Sequence, residues 1–190
     1  MSNGKGGIIN TIANQVDILT NIANTLVPVE RLLTGAAYLI GLSLAFKAIY
    51  TLKVYGEART MMSSNASIKE PVIYLIVAGI FIYFPTAYEI MRNTTFGSDS
   101  TVLAYVNSDN KAISTIFGPD SLVGKPLALI IQTIGLIAFI RGWVLIARSA
   151  SQGQQPGGMG KGFMHVFGGV LAMNIVGTLQ IINNTIYGAS

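Results

Sequence analysis

The sequence predicts an all-α integral membrane protein with four transmembrane helices arranged as two tandem hairpins, preceded by an N-terminal amphipathic helix. Three observations predict it. Of 190 residues, 51% are hydrophobic and only 11% charged, against roughly 25% charged in an ordinary soluble domain; so few charges cannot coat a water-facing surface. Four stretches of roughly 20 residues are almost wholly apolar, and a helix of that length reaches about 30 Å, the hydrocarbon thickness of a bilayer. The later pair of stretches also repeats features of the earlier pair.

Residues 1–30 form the N-terminal region. After a glycine-rich lead, Ile8, Ile9, Ile12, Ala13, Val16, Leu19, Ile22, Ala23, Leu26 and Val27 recur at the period of an amphipathic helix. The other face is Asn, Thr and Gln, without the cations of the usual interfacial helix. Two positions stay open for it, flat on a membrane or packed on spans and neighbouring subunits. Pro28 is expected to end it. Lys5 is followed by no uninterrupted apolar core, so no removable signal peptide is expected.

Residues 31–97 form the first hairpin, with spans Leu32 to Leu52 and Pro71 to Met91. Lys47 lies near an exit, where its stem can snorkel to the interface and needs no function to exist there. Pro85 predicts a kink, Glu89 sits one turn from the end, and Tyr74, Tyr83 and Tyr88 are placed as interfacial aromatics. Residues 98–124 form a polar linker, with Ala112 to Phe117 expected as a short surface helix. Residues 125–190 form the second hairpin, with spans Pro126 to Ala147 and Phe163 to Ile182.

Displaced by 94 residues, Ile40-Gly41-Leu42 falls on Ile134-Gly135-Leu136 and Lys47 on Arg141. Displaced by 91, Asn93-Thr94-Thr95-Phe96-Gly97 falls on Asn184-Thr185-Ile186-Tyr187-Gly188. The letters are few, but cations and helix exits match with them. Four spans put the two short links on one side with seven Lys and Arg, counting Lys47 and Arg141, and leave five opposite. The positive-inside rule then places the short links in the cytoplasm and the termini and long linker outside.

Composition also excludes classes of chemistry. The net charge of +4 comes from scattered cations with no basic run, so direct nucleic-acid binding is not expected. Without cysteine there is no disulfide, thiolate site or thiol nucleophile. His165 is the single histidine, too few for a metal cluster, and no metal, cofactor or enzymatic activity is expected. Gly153 to Gly162 falls short of a phosphate-binding loop because Gln155 and Gly162 stand where glycine and a hydroxyl are required. Gly157, Gly158, Gly160 and Lys161 are instead expected to form a sharp cytoplasmic turn, with Lys161 meeting lipid headgroups or a partner. Ala37, Gly41 and Ala45, and His165, Gly168, Gly169 and Ala172, form strips of small residues suited to close helix contact, within one chain or between chains. Asn174 is a candidate hydrogen-bonding partner for a neighbouring helix. Arg141 either snorkels or faces a pore or an acid such as Glu89.

The stretch from Gly157 to Gln180, with its Gly-Lys-Gly entry, His165, Gly168-Gly169 and the run Leu171-Ala172-Met173-Asn174, resembles the IcmC (DotE) family of the Dot/Icm type IVB secretion system, near its siblings IcmD (DotP) and conjugal TraQ. The resemblance implies a non-enzymatic, multi-pass inner-membrane subunit of a Gram-negative protein-export machine, with other secretion subunits, copies of itself and membrane lipids as partners. A stand-alone small channel or transporter is the alternative.

Overall fold

The computed structural model describes residues 3–60, 67–97, 111–118, 121, 123–151 and 157–188. Most of the expected polar linker lies outside the described residues. The described chain is all-helical, in the order α1 (Asn3–Thr60), α2 (Lys69–Ile82), α3 (Phe84–Phe96), α4 (Lys111–Phe117), α5 (Gly124–Ser149), α6 (Gly158–Met173) and α7 (Ile175–Tyr187). Among the described residues, two helical stretches, Val16–Thr60 and Gly124–Ser149, are long and apolar enough to cross a membrane. The number rises to four if each bent pair, α2 with α3 and α6 with α7, is one span.

Helix α1 corrects the first expectation. Its 58 residues run unbroken through Pro28, so no separate amphipathic helix ends there. The proline forfeits one hydrogen bond and crowds the preceding turn, at a cost of about 3 kcal/mol. Beside lipid, a full break would strip partners from several backbone groups at once. At about 1.5 Å per residue α1 is roughly 87 Å long, so it projects well past any bilayer. The expected stripe at Ile8, Ile9, Ile12 and Ala13 lies outside the described side chains, while Ile22 and Val27 are exposed and Ala23 is buried.

Two antiparallel helix pairs organise the rest. In α5 and α6 the backbones touch through glycine. A methyl group built on Gly135 would come within 2.7 Å of the Met173 amide nitrogen, and one on Gly169 within 2.7 Å of the Phe139 nitrogen. Gly142 and Gly162 meet in the same way further along, with the carbonyl oxygen of each under 3 Å from the other's missing methyl. The first pair echoes this contact at Gly41, whose methyl would lie 2.8 Å from Phe81 Cβ and 3.1 Å from the Ile82 nitrogen. Gly41 and Gly135 are 94 residues apart, while Phe81 and Ile82 are 91 residues from Ala172 and Met173. The tandem correspondence therefore extends from letters to contacts.

It extends to the breaks as well. Helix α2 turns into α3 through 92° at Tyr83, and α6 into α7 through 92° at Asn174, 91 residues later. Tyr83 N–H donates to the Gly79 carbonyl at 3.0 Å and Asn174 N–H to the Val170 carbonyl at 3.3 Å, again one repeat apart. The second span of each pair is thus not a straight rod. In the first copy Pro85, in the opening turn of α3, removes an amide donor and breaks the helix as expected. The second copy has no proline there.

An aromatic array joins the halves. Phe139 of α5 meets Phe84 at 5.7 Å and Tyr88 at 6.2 Å, both edge-on, and Trp143 at 6.3 Å. Such pairs add to the energy of plain burial. The short helix in the linker forms, yet it does not lie free on the surface: Ile113 and Phe117 are buried with Ala128 of α5 and Val176 of α7.

Three substitutions test this packing, with melting followed by fluorescence of the lone tryptophan, Trp143. Gly169→Val should destabilise by about 2 kcal/mol or more, because backbone rather than a flexible side chain blocks the added atoms. Gly168→Ala, where a methyl meets nothing within 4 Å, should be neutral or slightly stabilising. Phe139→Ala should cost about 3 kcal/mol or more by opening the joint between the halves.

Candidate functional site

Among the described residues, two clefts open between packed helices of the bundle. One, of about 430 Å³, lies between α1, α2 and α5 and is lined by Leu39, Ile40, Ser43, Leu44, Lys47, Tyr74, Val144, Ala147 and Arg148. Its floor is apolar and it carries two cations. The Lys47 ammonium sits 4.5 Å from the centre of the Tyr74 ring, in cation–π contact. The Tyr74 hydroxyl donates to Glu70 Oε1 at 3.1 Å and shares a hydrogen bond with Ser151 Oγ at 2.5 Å. Tyr74 is therefore buried and fixes the start of α2 to the end of α5, rather than facing the interface as expected. Of the three tyrosines placed there, Tyr88 is buried too and only Tyr83 faces outward.

The other cleft, of about 500 Å³, lies between α3 and α6 and is almost wholly apolar, with Met91, Phe163, Phe167 and Val170 among its walls. It exists because the bend at Tyr83 folds α3 back across α6.

The small-residue strips are partly as expected. Ala37 and Gly41 are buried, but the next buried position on α1 is Ala48, and Ala45 is only half-buried. On α6, Gly169 faces α5 and Ala172 lies beside Gly135, while Gly168 faces open space. His165 is half-buried, and its Nδ1–H donates to the Lys161 carbonyl at 2.8 Å, which is a local helix contact. The buried strip of α6 is Gly162, Val166, Gly169, Val170 and Met173.

Asn174 is the larger correction. Instead of bonding a neighbouring helix, its buried side chain accepts the Gly177 amide at 3.3 Å and caps α7. Thr178 Oγ1 lies 2.8 Å from the Leu171 carbonyl, an acceptor on the far side of the break, while the Asn174 carbonyl receives the Thr178 amide at 2.9 Å as well as the same hydroxyl. Asparagine and threonine here do what proline does in the first copy.

Arg141 is exposed and Glu89 half-buried, and no ion pair joins them. In the short turn, Gly157 has φ 97°, a left-handed conformation that only glycine adopts easily, and it caps α6. Gly158 packs beside Ser149, a methyl group added at Gly160 would meet open space, and Lys161 is exposed. Arg92 escaped the sequence reading. It is 2% exposed, with Nη2 donating to Asn93 Oδ1 at 3.1 Å. No sequence signal marks it, since its burial follows from the fold-back of α3. No protein family, curated protein or solved structure matches the chain.

Asn174→Ala should lower stability by about 1 kcal/mol through loss of the cap. It should also widen the distance between spin labels at Met159 and Thr185 as the bend relaxes, measured by pulsed electron resonance. An unchanged distance would show that packing alone sets the angle.

Proposed function

We propose that this chain is a non-enzymatic structural subunit of a bacterial inner membrane that acts by assembling, through contacts between repeated hairpins, into the conduit of a type IVB secretion or conjugation-like apparatus. Four spans in two tandem hairpins, with the short links cytoplasmic, are part of the proposal. The secretion context is supported by the resemblance of Gly157 to Gln180 to the IcmC family. The assembly is supported by one structural observation, the mismatch between the repeat and its exposed surfaces.

Ile40, Ser43 and Lys47 of hairpin one and Val144, Ala147 and Arg148 of hairpin two line the cleft between the halves, with Ser43, Lys47 and Arg148 exposed at its mouth. One repeat later the first face recurs on α5 as Ile134, Ile137 and Arg141, all exposed. One repeat earlier the second face recurs on α1 as Tyr50, Lys53 and Val54, also all exposed. Each end of the chain thus presents the counterpart of a surface already used in its middle. Two different complementary surfaces on one subunit generate head-to-tail rings or filaments rather than closed pairs.

The absence of cysteine makes cross-linking direct. In native membranes, chains bearing Tyr50→Cys and chains bearing Ile134→Cys should form a mixed disulfide dimer when expressed together, and neither variant should do so alone. A monomer in both settings would reject the assembly, and efficient coupling of Tyr50→Cys with itself would replace it by a two-fold dimer. For orientation, cysteines at Ser67 and Ser151 should be shielded from a membrane-impermeant reagent in intact spheroplasts, while cysteines at Thr94 and Thr185 should react.

A further inference from the structure

The cleft at Lys47 and Arg148 has a composition that neither helix packing nor assembly requires. Leu39, Ile40, Leu44, Val144 and Ala147 form its apolar walls, and two cations stand among them. Among the described residues neither cation has a carboxylate partner: the acid beside the cleft, Glu70, is engaged by the Tyr74 hydroxyl at 3.1 Å, and Lys47 rests against the face of that same ring. Arg148 stands in the last turn of α5, where chain polarity also favours positive charge.

A cation beside apolar helices gains most from an anion that arrives with its own apolar body. Free phosphate could satisfy the two charges, but it would leave about 430 Å³ of apolar cleft to lipid or water. A zwitterionic headgroup would bring a positive charge against Lys47 and Arg148. The geometry points to an anionic phospholipid bound in this cleft, its phosphate between Lys47 and Arg148 and an acyl chain along Leu39, Ile40, Leu44 and Val144. Ser43 lines the same cleft; its hydroxyl donates to the Leu39 carbonyl at 2.8 Å, so its oxygen is left to accept from a glycerol hydroxyl. Because the cleft forms between the two halves of one chain, the site exists in a monomer and goes beyond the assembly proposed above.

The test is native mass spectrometry of the full chain in a mild detergent, titrated with phosphatidylglycerol, with phosphatidylcholine of the same acyl chains, and with inorganic phosphate. Phosphatidylglycerol should bind at least about tenfold more tightly than phosphatidylcholine, as two cations near a headgroup allow. The double variant Lys47→Gln with Arg148→Gln should bring it to the phosphatidylcholine level. The charge-matched control Lys111→Gln with Lys125→Gln should not. Ser43→Phe, which fills the cleft and keeps both cations, should reduce binding as well, and the tryptophan melt reports whether each variant is folded. Equal retention of the two lipids, the same loss in the control pair, or displacement by millimolar inorganic phosphate would overturn the assignment, the last by showing that the site takes a free anion.

Discussion

The distance between helix backbones is the constraint on which the rest of this structure depends. Lipid is as apolar as leucine, so helices within it are not driven together by excluding water, and contact area must do the work. Helices α5 and α6 meet this condition with four glycines, Gly135 and Gly142 facing Gly169 and Gly162, so that main-chain atoms of one helix sit against main-chain atoms of the other. The first pair holds a single glycine at the corresponding contact and uses alanine elsewhere, with Ala37, Ala48 and Ala78 all buried. Once the pairs are set, large side chains can pack between them, and Phe139 becomes the point where both halves converge.

The two right-angle bends follow from the same environment. A backbone break inside lipid exposes carbonyls, and each must find a donor or be buried against protein. In the first copy Pro85, in the opening turn of α3, removes one amide that would otherwise need an acceptor, and the freed carbonyls are left to other partners. The second copy keeps every amide and supplies side chains instead, with Asn174 capping forward and Thr178 reaching back to Leu171. Equal angles and hydrogen bonds at matching positions, reached by unlike residues, indicate that the bend itself is the retained feature. It also changes what the second span of each pair can do. Helices α2 and α6, with 14 and 16 residues, extend about 21 and 24 Å, so each second span crosses the bilayer only together with part of α3 or α7 beyond its bend.

Much of the fold was legible in the residues, and what was missed has physical reasons. Apolar length revealed the helices, Pro85 revealed one bend, and the offsets of 94 and 91 revealed a correspondence that hydrogen bonds now share. Pro28 misled because a proline signals only a local cost, which a helix of 58 residues can bear. Asn174 misled because a lone amide in an apolar run reads equally as a contact between helices or a cap within one. The strip on α6 slipped by one residue: Gly168 and Gly169 differ by about 100° around the axis, enough to exchange lipid for α5. Burial of Arg92 and Tyr88 could not be read at all, since it arises from α3 folding back over residues distant in sequence.

The cations give the clearest view of what a tandem repeat does to chemistry. Lys47 and Arg141 occupy corresponding positions, one in each copy, and both are exposed, yet Lys47 lies over the Tyr74 ring at a cleft between the halves. The difference is that the first copy has the second beside it, whereas the second copy meets no further hairpin within the chain. A repeat of two units necessarily ends with one face unused at each end. Arg141 with Ile134 and Ile137 is that face on one side, and Tyr50 with Lys53 and Val54 is its complement on the other. The same residues that appear without purpose in a single chain are therefore the ones whose surroundings would be completed by another copy.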